Sequence, residues 1–182
     1  MALIKTKARG IQSVSGVDGN VILQLKRTQF DGTNIITCTS DTDIVFTDLT
    51  VNITPSSTSS IIRLECMVNG EWSVNSATYN GTVFFFRDTT KLGHPTASLR
   101  NVGVSGFMRS IQTTDTGSTP EGTASVMFYD TPNTTSQITY KVGVHTSSAG
   151  DPVYHLNKTV TDADGDAYER FVSSITAIEI AG

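Results

Sequence analysis

Leu49-Thr-Val-Asn-Ile-Thr54, Pro55-Ser-Ser-Thr-Ser-Ser60 and Ile61-Ile-Arg-Leu-Glu-Cys-Met-Val68 follow one another and decide the fold class. In the first, Leu49, Val51 and Ile53 alternate with Thr50, Asn52 and Thr54. A period of two places the apolar set on one face of a strand and the hydroxyls and amide on the other, which marks a half-buried strand with a wet face. The third stretch repeats the pattern, with Ile62, Leu64 and Cys66 opposing Ile61, Arg63 and Glu65. The Pro and Ser segment between them is a loop by composition and is too short for a stalk or an interdomain linker.

Outward from this centre, strand-like segments recur at 21–30, 34–39, 44–46, 83–86, 92–94, 102–111, 124–129, 137–144, 153–156 and 173–180. Asp31-Gly32 carries hairpin-grade turn chemistry after the first. Pro95 should end the strand before it or mark an edge. The run Val83-Phe84-Phe85-Phe86 is apolar on both faces, so it reads as a central strand or as one whose second face a neighbouring subunit covers. Residues 113–122, with Asp115, Gly117, Pro120 and Gly122, form the longest loop. No stretch of a dozen residues shows apolar spacing of three and four, so no long helix is expected. The expected architecture is all-β: a jelly-roll-like antiparallel β-sandwich over residues 20–182, preceded by an extended, glycine-spaced N-terminal arm at 1–19.

Composition agrees. A length of 182 residues fits one domain. There are 28 Thr and 19 Ser, 47 of 182, while charged residues make up only 16%. Helix surfaces are normally covered with Glu, Lys and Arg, and disordered chains combine high net charge with few β-branched residues, so both classes are disfavoured. A sandwich of this composition can be wet without carrying a strong field. Net charge is −4, which gives no electrostatic case for binding nucleic acid or an anionic membrane. The local exception is Lys5, Lys7 and Arg9, a basic stretch without acids that could dock the arm on a partner. The first 25 residues lack the apolar core and cleavage site of a signal peptide, and no run is long enough to span a membrane. Synthesis in the cytoplasm and a soluble product are expected. Cys38 and Cys66 lie in strand-like runs without nearby metal-binding partners and read as reduced and packed.

Residues with chemistry to offer are scattered. His94, His145 and His155 show no metal-ligand spacing. Gly103-Val-Ser105-Gly106 is a fragment of a nucleophile elbow without its strand-turn-helix context. Asp162, Asp164 and Asp166 alternate around Gly165 and resemble the start of a calcium loop. The EF-hand template places its glycine directly after the third carboxylate and a Glu where Ser173 stands, so a solvated turn is favoured over a metal site. Asn-x-Ser/Thr sequons occur at Asn52, Asn80, Asn133 and Asn157, where nine Asn and this content of Ser and Thr would give roughly two or three by chance. No catalytic residue and no cofactor is expected, and the chain does not read as an enzyme.

Three stretches carry a resemblance: Ile53-Thr-Pro-Ser-Ser-Thr-Ser-Ser60, Asp130-Thr-Pro-Asn-Thr-Thr-Ser-Gln-Ile-Thr-Tyr-Lys-Val142, and Ile175-Thr-Ala-Ile-Glu-Ile-Ala-Gly182, with Phe86-Arg87-Asp-Thr-Thr-Lys-Leu-Gly93 in support. Together they resemble a family of virion structural proteins of tailed bacteriophages, frequent among marine and cyanobacterial phages, that serve as distal fibre domains or short appendages. The resemblance covers roughly residues 45–182 and rests on turn and strand signatures. Ile61 departs from it, standing where the family often has Lys, and the 113–122 loop has no counterpart in the pattern.

The resemblance implies a homotrimeric jelly-roll head in the virion, with the three-fold neighbour covering Val83, Phe84, Phe85 and Phe86 and the C-terminal strand closing a sheet. It implies attachment to other virion proteins of tail or capsid through Lys5, Lys7 and Arg9. Loops such as the one holding Asp115, Thr119 and Glu121, and that at 146–151, would face a host-cell glycan. A capsid decoration protein is the alternative, since no fibre shaft, heptad or collagen repeat is present. A lectin or carbohydrate-active enzyme on the same fold is a third reading.

Overall fold

The computed structural model of the protein describes residues 21–73, 81–107, 121–147 and 149–182. Its elements are β1 (Ile22–Phe30), β2 (Asn34–Thr37), β3 (Thr42–Ile53), β4 (Ile61–Trp72), β5 (Gly81–Arg87), β6 (Thr90–Leu92), β7 (Ser105–Gly106), β8 (Glu121–Asp130), β9 (Ile138–Thr146), β10 (Val153–Leu156) and β11 (Ser173–Ile180), with no helix among the described residues. The strands form two antiparallel sheets. One runs β1-β11-β4-β10-β2 with β8 also on β4, the other β3-β9-β5-β6 with β7 on β5. The inward residues of both, among them Ile62, Leu64 and Val68 of β4 and Val51, Val83, Phe85 and Val142 of the second sheet, meet in one core. The all-β, antiparallel expectation holds.

The first sheet is a set of rows. Cys66 of β4 is opposite Ile175 of β11 on one side and Val126 of β8 on the other, and Gly70 is opposite Leu156 of β10 and Glu121 of β8. β10 and β11 therefore lie end to end along one edge of β4, and β8 lies along the other. β1 and β2 pair with β11 and β10, so they too run on in one direction. Asp31-Gly32 is accordingly a kink between collinear strands and not the hairpin turn its composition indicates. The kink is held from outside its own segment: the buried Asn157 donates from Nδ2 to the carbonyls of Phe30 and Gly32, each at 2.8 Å, and its Oδ1 accepts from Ser173 Oγ at 2.6 Å. A local signal for a turn was correct, but tertiary pairing chose its direction.

Two further expectations change. Segments 44–46 and 49–54 are one strand, β3, whose pairing with β9 shifts register between Phe46 and Thr50. That bulge turns both Phe46 and Leu49 into the core and interrupts the alternation in the sequence. Of segment 102–111, the described part is strand only at Ser105–Gly106. Both cysteines are free and buried, as read from sequence, and burial pushes their thiols up to about 12.

The outward-facing Phe84 of the Phe-rich strand is covered within the chain, and Phe86 beside it is half-buried. Val83 and Phe85 face the core, while Phe84 points to the other side and is still fully buried within the single chain. Phe86 packs against it edge-on at 5.3 Å, and the Lys91 ammonium lies 3.9 Å above its ring. Directly across the ladder is Gly143, and a Cβ there would come within 2.5 Å of Phe84 Cε2. The glycine thus leaves the room the ring occupies. Gly143→Ala is expected to lower stability by about 1–3 kcal/mol through overpacking, measured by denaturant midpoint, and to cost markedly less in a Phe84→Ala background.

The stretches that carry the family resemblance meet in two buried polar locks. Glu179, fully buried, accepts hydrogen bonds at 2.6 Å from the Ser56 amide, Ser56 Oγ, Ser60 Oγ and Gln24 Nε2. This ties the 55–60 loop to the C-terminal strand. Ser59 Oγ adds a bond to the Gly182 carbonyl at 3.2 Å. At the second lock, Asp130 accepts from Arg87 Nη1 at 2.9 and 3.1 Å and from Tyr140 Oη at 2.7 Å. The aspartate is nearly buried, and both donors lie on strands of the opposite sheet, so the lock bridges the sandwich.

Candidate interaction face

The outer side of the first sheet has no second layer among the described residues, and its side chains can be read off the register. Ile22, Ile180 and Ile61 form one cross-strand row. Leu25, Ile178, Arg63 and Tyr129 form the next, then Arg27, Thr176, Glu65 and Met127, then Gln29, Ser174, Met67 and Ser125. The face grades from aliphatic at the Ile61 end to polar at the Met67 end. Ile178 and Ile180 are buried in its middle, but the margins are open: Ile22 is 60% exposed, Leu25 55%, Met127 51% and Tyr129 52%. A depression of about 490 Å³ lies across the more polar rows, between Arg27 on β1 and Met127 on β8, floored by Glu65, Met67 and Thr176. Large apolar side chains gathered at the margins of one sheet face, instead of scattered singly, mark an interaction surface. Arg63 bridges to Glu65 in the centre, which keeps both charges paired there.

The residues singled out from sequence fall elsewhere. Lys5, Lys7, Arg9, Asp115 and Thr119 lie outside the described residues, as does the sequon at Asn80. Glu121 is the first residue of β8 and not part of a loop. Val83, Phe84 and Phe85 are buried within the chain, and Phe86 is half-buried. Asp162 is ion-paired with Lys158 at 3.2 Å and with Arg170, whose hydrogen bonds hold its carboxyl below the usual range. Two cations on the leading carboxylate oppose a calcium site at the Asp162, Asp164, Asp166 turn, and no cluster of metal-ligating side chains occurs among the described residues. Asn157 is buried with its amide fully engaged, so its sequon cannot serve as a glycan acceptor without local unfolding.

Two of the histidines are likewise engaged. His94 Nδ1 lies 2.6 Å from the Pro95 carbonyl. His145 Nδ1 is 2.9 Å from Asp43 Oδ1, which also accepts from Lys91 Nζ at 2.7 Å, beside the Phe84 ring. This cluster anchors β3, β9 and β6 across the outer side of the second sheet. Burial, together with the charge of Lys158, lowers the pKa of His155 and favours its neutral form.

No protein-family model and no curated protein sequence matches this chain. The face itself escaped sequence reading because Leu25, Met127 and Tyr129 belong to strands far apart in the chain. The available signal was the apolar content of β1 on positions of both parities, Ile22, Leu23 and Leu25, which one core cannot absorb.

Proposed function

We propose that this chain is a structural protein of a bacteriophage particle: a jelly-roll-like sandwich that assembles as a homotrimer, is attached through its N-terminal arm, and presents loops toward a host surface. The observation that carries the reading is the convergence of the resembling stretches. Ser56, Ser60 and Glu179 build one lock, and Arg87, Asp130 and Tyr140 the other. The shared signatures are thus the residues a scaffold of this shape needs, which supports likeness of architecture over chance likeness of turns. The open face of the first sheet supports self-association, since apolar margins of this kind are costly to leave in water.

The test is to localise the protein in purified particles by mass spectrometry and by gold-labelled antibody in electron micrographs. Label at the tail or its appendages is the expected result. Label distributed over the head would replace the appendage role with capsid decoration, and absence from purified particles would overturn the virion reading.

A further inference from the structure

We propose that copies of this chain join edge to edge, β1 of one copy pairing antiparallel with β8 of the next, so that the first sheet continues from subunit to subunit. The inference rests on the self-association reading above and assigns its surface.

Among the described residues, β1 and β8 close the two sides of the row β1-β11-β4-β8, and neither has a strand on its outer side. They have matching lengths, 9 and 10 residues. An unpaired edge this long is a template for another strand. Direction is already suitable. All pairings in the row are antiparallel, so β1 runs along β4 and β8 runs against it. A copy related by rotation about an axis along the strands keeps its direction, and therefore offers β1 antiparallel to β8.

Charge selects against pairing of β1 with itself. β1 carries Lys26 and Arg27 at its centre and no acid. Two β1 strands paired antiparallel about that centre would gather the cations of both copies, which is destabilising. β8 carries no Lys or Arg, so β1 against β8 keeps the two cationic centres apart. It also brings the exposed margin of Ile22 and Leu25 against that of Met127 and Tyr129, joining the two apolar borders of the face. A contact between two different surfaces is heterologous, and it closes into a ring when the rotation permits, as a trimer requires.

Two variants on exposed positions test it: Lys26→Glu with Arg27→Glu on the β1 edge, and Ser125→Lys with Met127→Lys on the β8 edge. Circular dichroism and thermal melting establish that each is folded, and light scattering on a sizing column gives the mass at micromolar concentration. The wild type should be oligomeric and each variant alone monomeric. The equimolar mixture should regain association, because an acidic β1 then meets a basic β8 while the other two edges are unchanged. If either folded variant keeps the wild-type mass, or the mixture stays monomeric, the edge pairing is wrong although self-association stands. A monomeric wild type would overturn both.

Discussion

Glu179→Ala is expected to lower stability by about 3 kcal/mol at neutral pH and to release the 55–60 loop from the C-terminal strand. The carboxylate collects four hydrogen bonds in a fully buried position, from Gln24, from Ser60 and from both the amide and hydroxyl of Ser56. Bonds to a charged group contribute roughly 1.5–3 kcal/mol each, and donors orphaned by the substitution carry their own desolvation cost. Partial relaxation toward water at the exposed Ser56 keeps the total below the simple sum. The measurement is the denaturant midpoint, with hydrogen exchange at residues 56–60 reporting the loop. Unchanged exchange there would contradict the lock.

The same site gives a pH dependence with a definite sign. Burial by itself would raise the Glu179 pKa, but the hydrogen bonds from Ser56, Ser60 and Gln24 together outweigh it and hold the carboxyl below its ordinary 4.5. A folded-state pKa below the unfolded value means that the unfolded chain binds the proton first as acid is added. The stabilisation is complete at neutral pH and is lost as pH falls from about 4.5 through the lower folded value. Glu179→Gln should therefore be less stable than the wild type at pH 7 and show a shallower loss across that acidic window, when both are followed by chemical denaturation at each pH.

The second large effect is at Trp72, the chain's single tryptophan, which is fully buried at the end of β4. Its ring meets Tyr154 edge-on at 5.0 Å and Phe107 at 5.6 Å, and Tyr154 is in turn stacked on Phe46 at 5.4 Å. Phe46 lies on β3 and Tyr154 on β10, so the aromatic group joins the two sheets. Trp72→Ala should cost about 3–5 kcal/mol, combining lost transfer energy with the cavity left among rigid rings. Trp72→Phe should cost far less, because it keeps an aromatic contact and removes a buried Nε1 that has no hydrogen-bond partner among the described residues. Thermal melting of the pair decides the matter, and equal losses for the two would place the effect outside ring packing.

Parts of this fold are legible residue by residue. The limits of β10 and β11 coincide with the segments read at 153–156 and 173–180, and Ile62, Leu64 and Cys66 do face the core as their alternation requires. Where reading fell short, the missing quantity was a neighbour. The run Val83 to Phe86 reads equally as a central strand or as one covered by a second subunit until Gly143 and Lys91 are seen beside Phe84. Asp31-Gly32 has hairpin chemistry, but Asn157, distant in sequence, fixes it as a kink. Glu179 looks like a wet position on a terminal strand, and only the approach of Ser56 and Ser60 makes it a buried lock.

By itself, then, the sequence determined an all-β chain, the side of most strands that is apolar, and the reduced, packed state of Cys38 and Cys66. A period of two and a composition rich in hydroxyls are local properties, and local properties suffice for those conclusions. The order of strands, the two polar locks, the cover over Phe84 and the open face bordered by β1 and β8 were decided by tertiary structure alone. Alternation says which side chains share a face, but what lies against that face depends on pairings between residues as distant as Leu25 and Ile178.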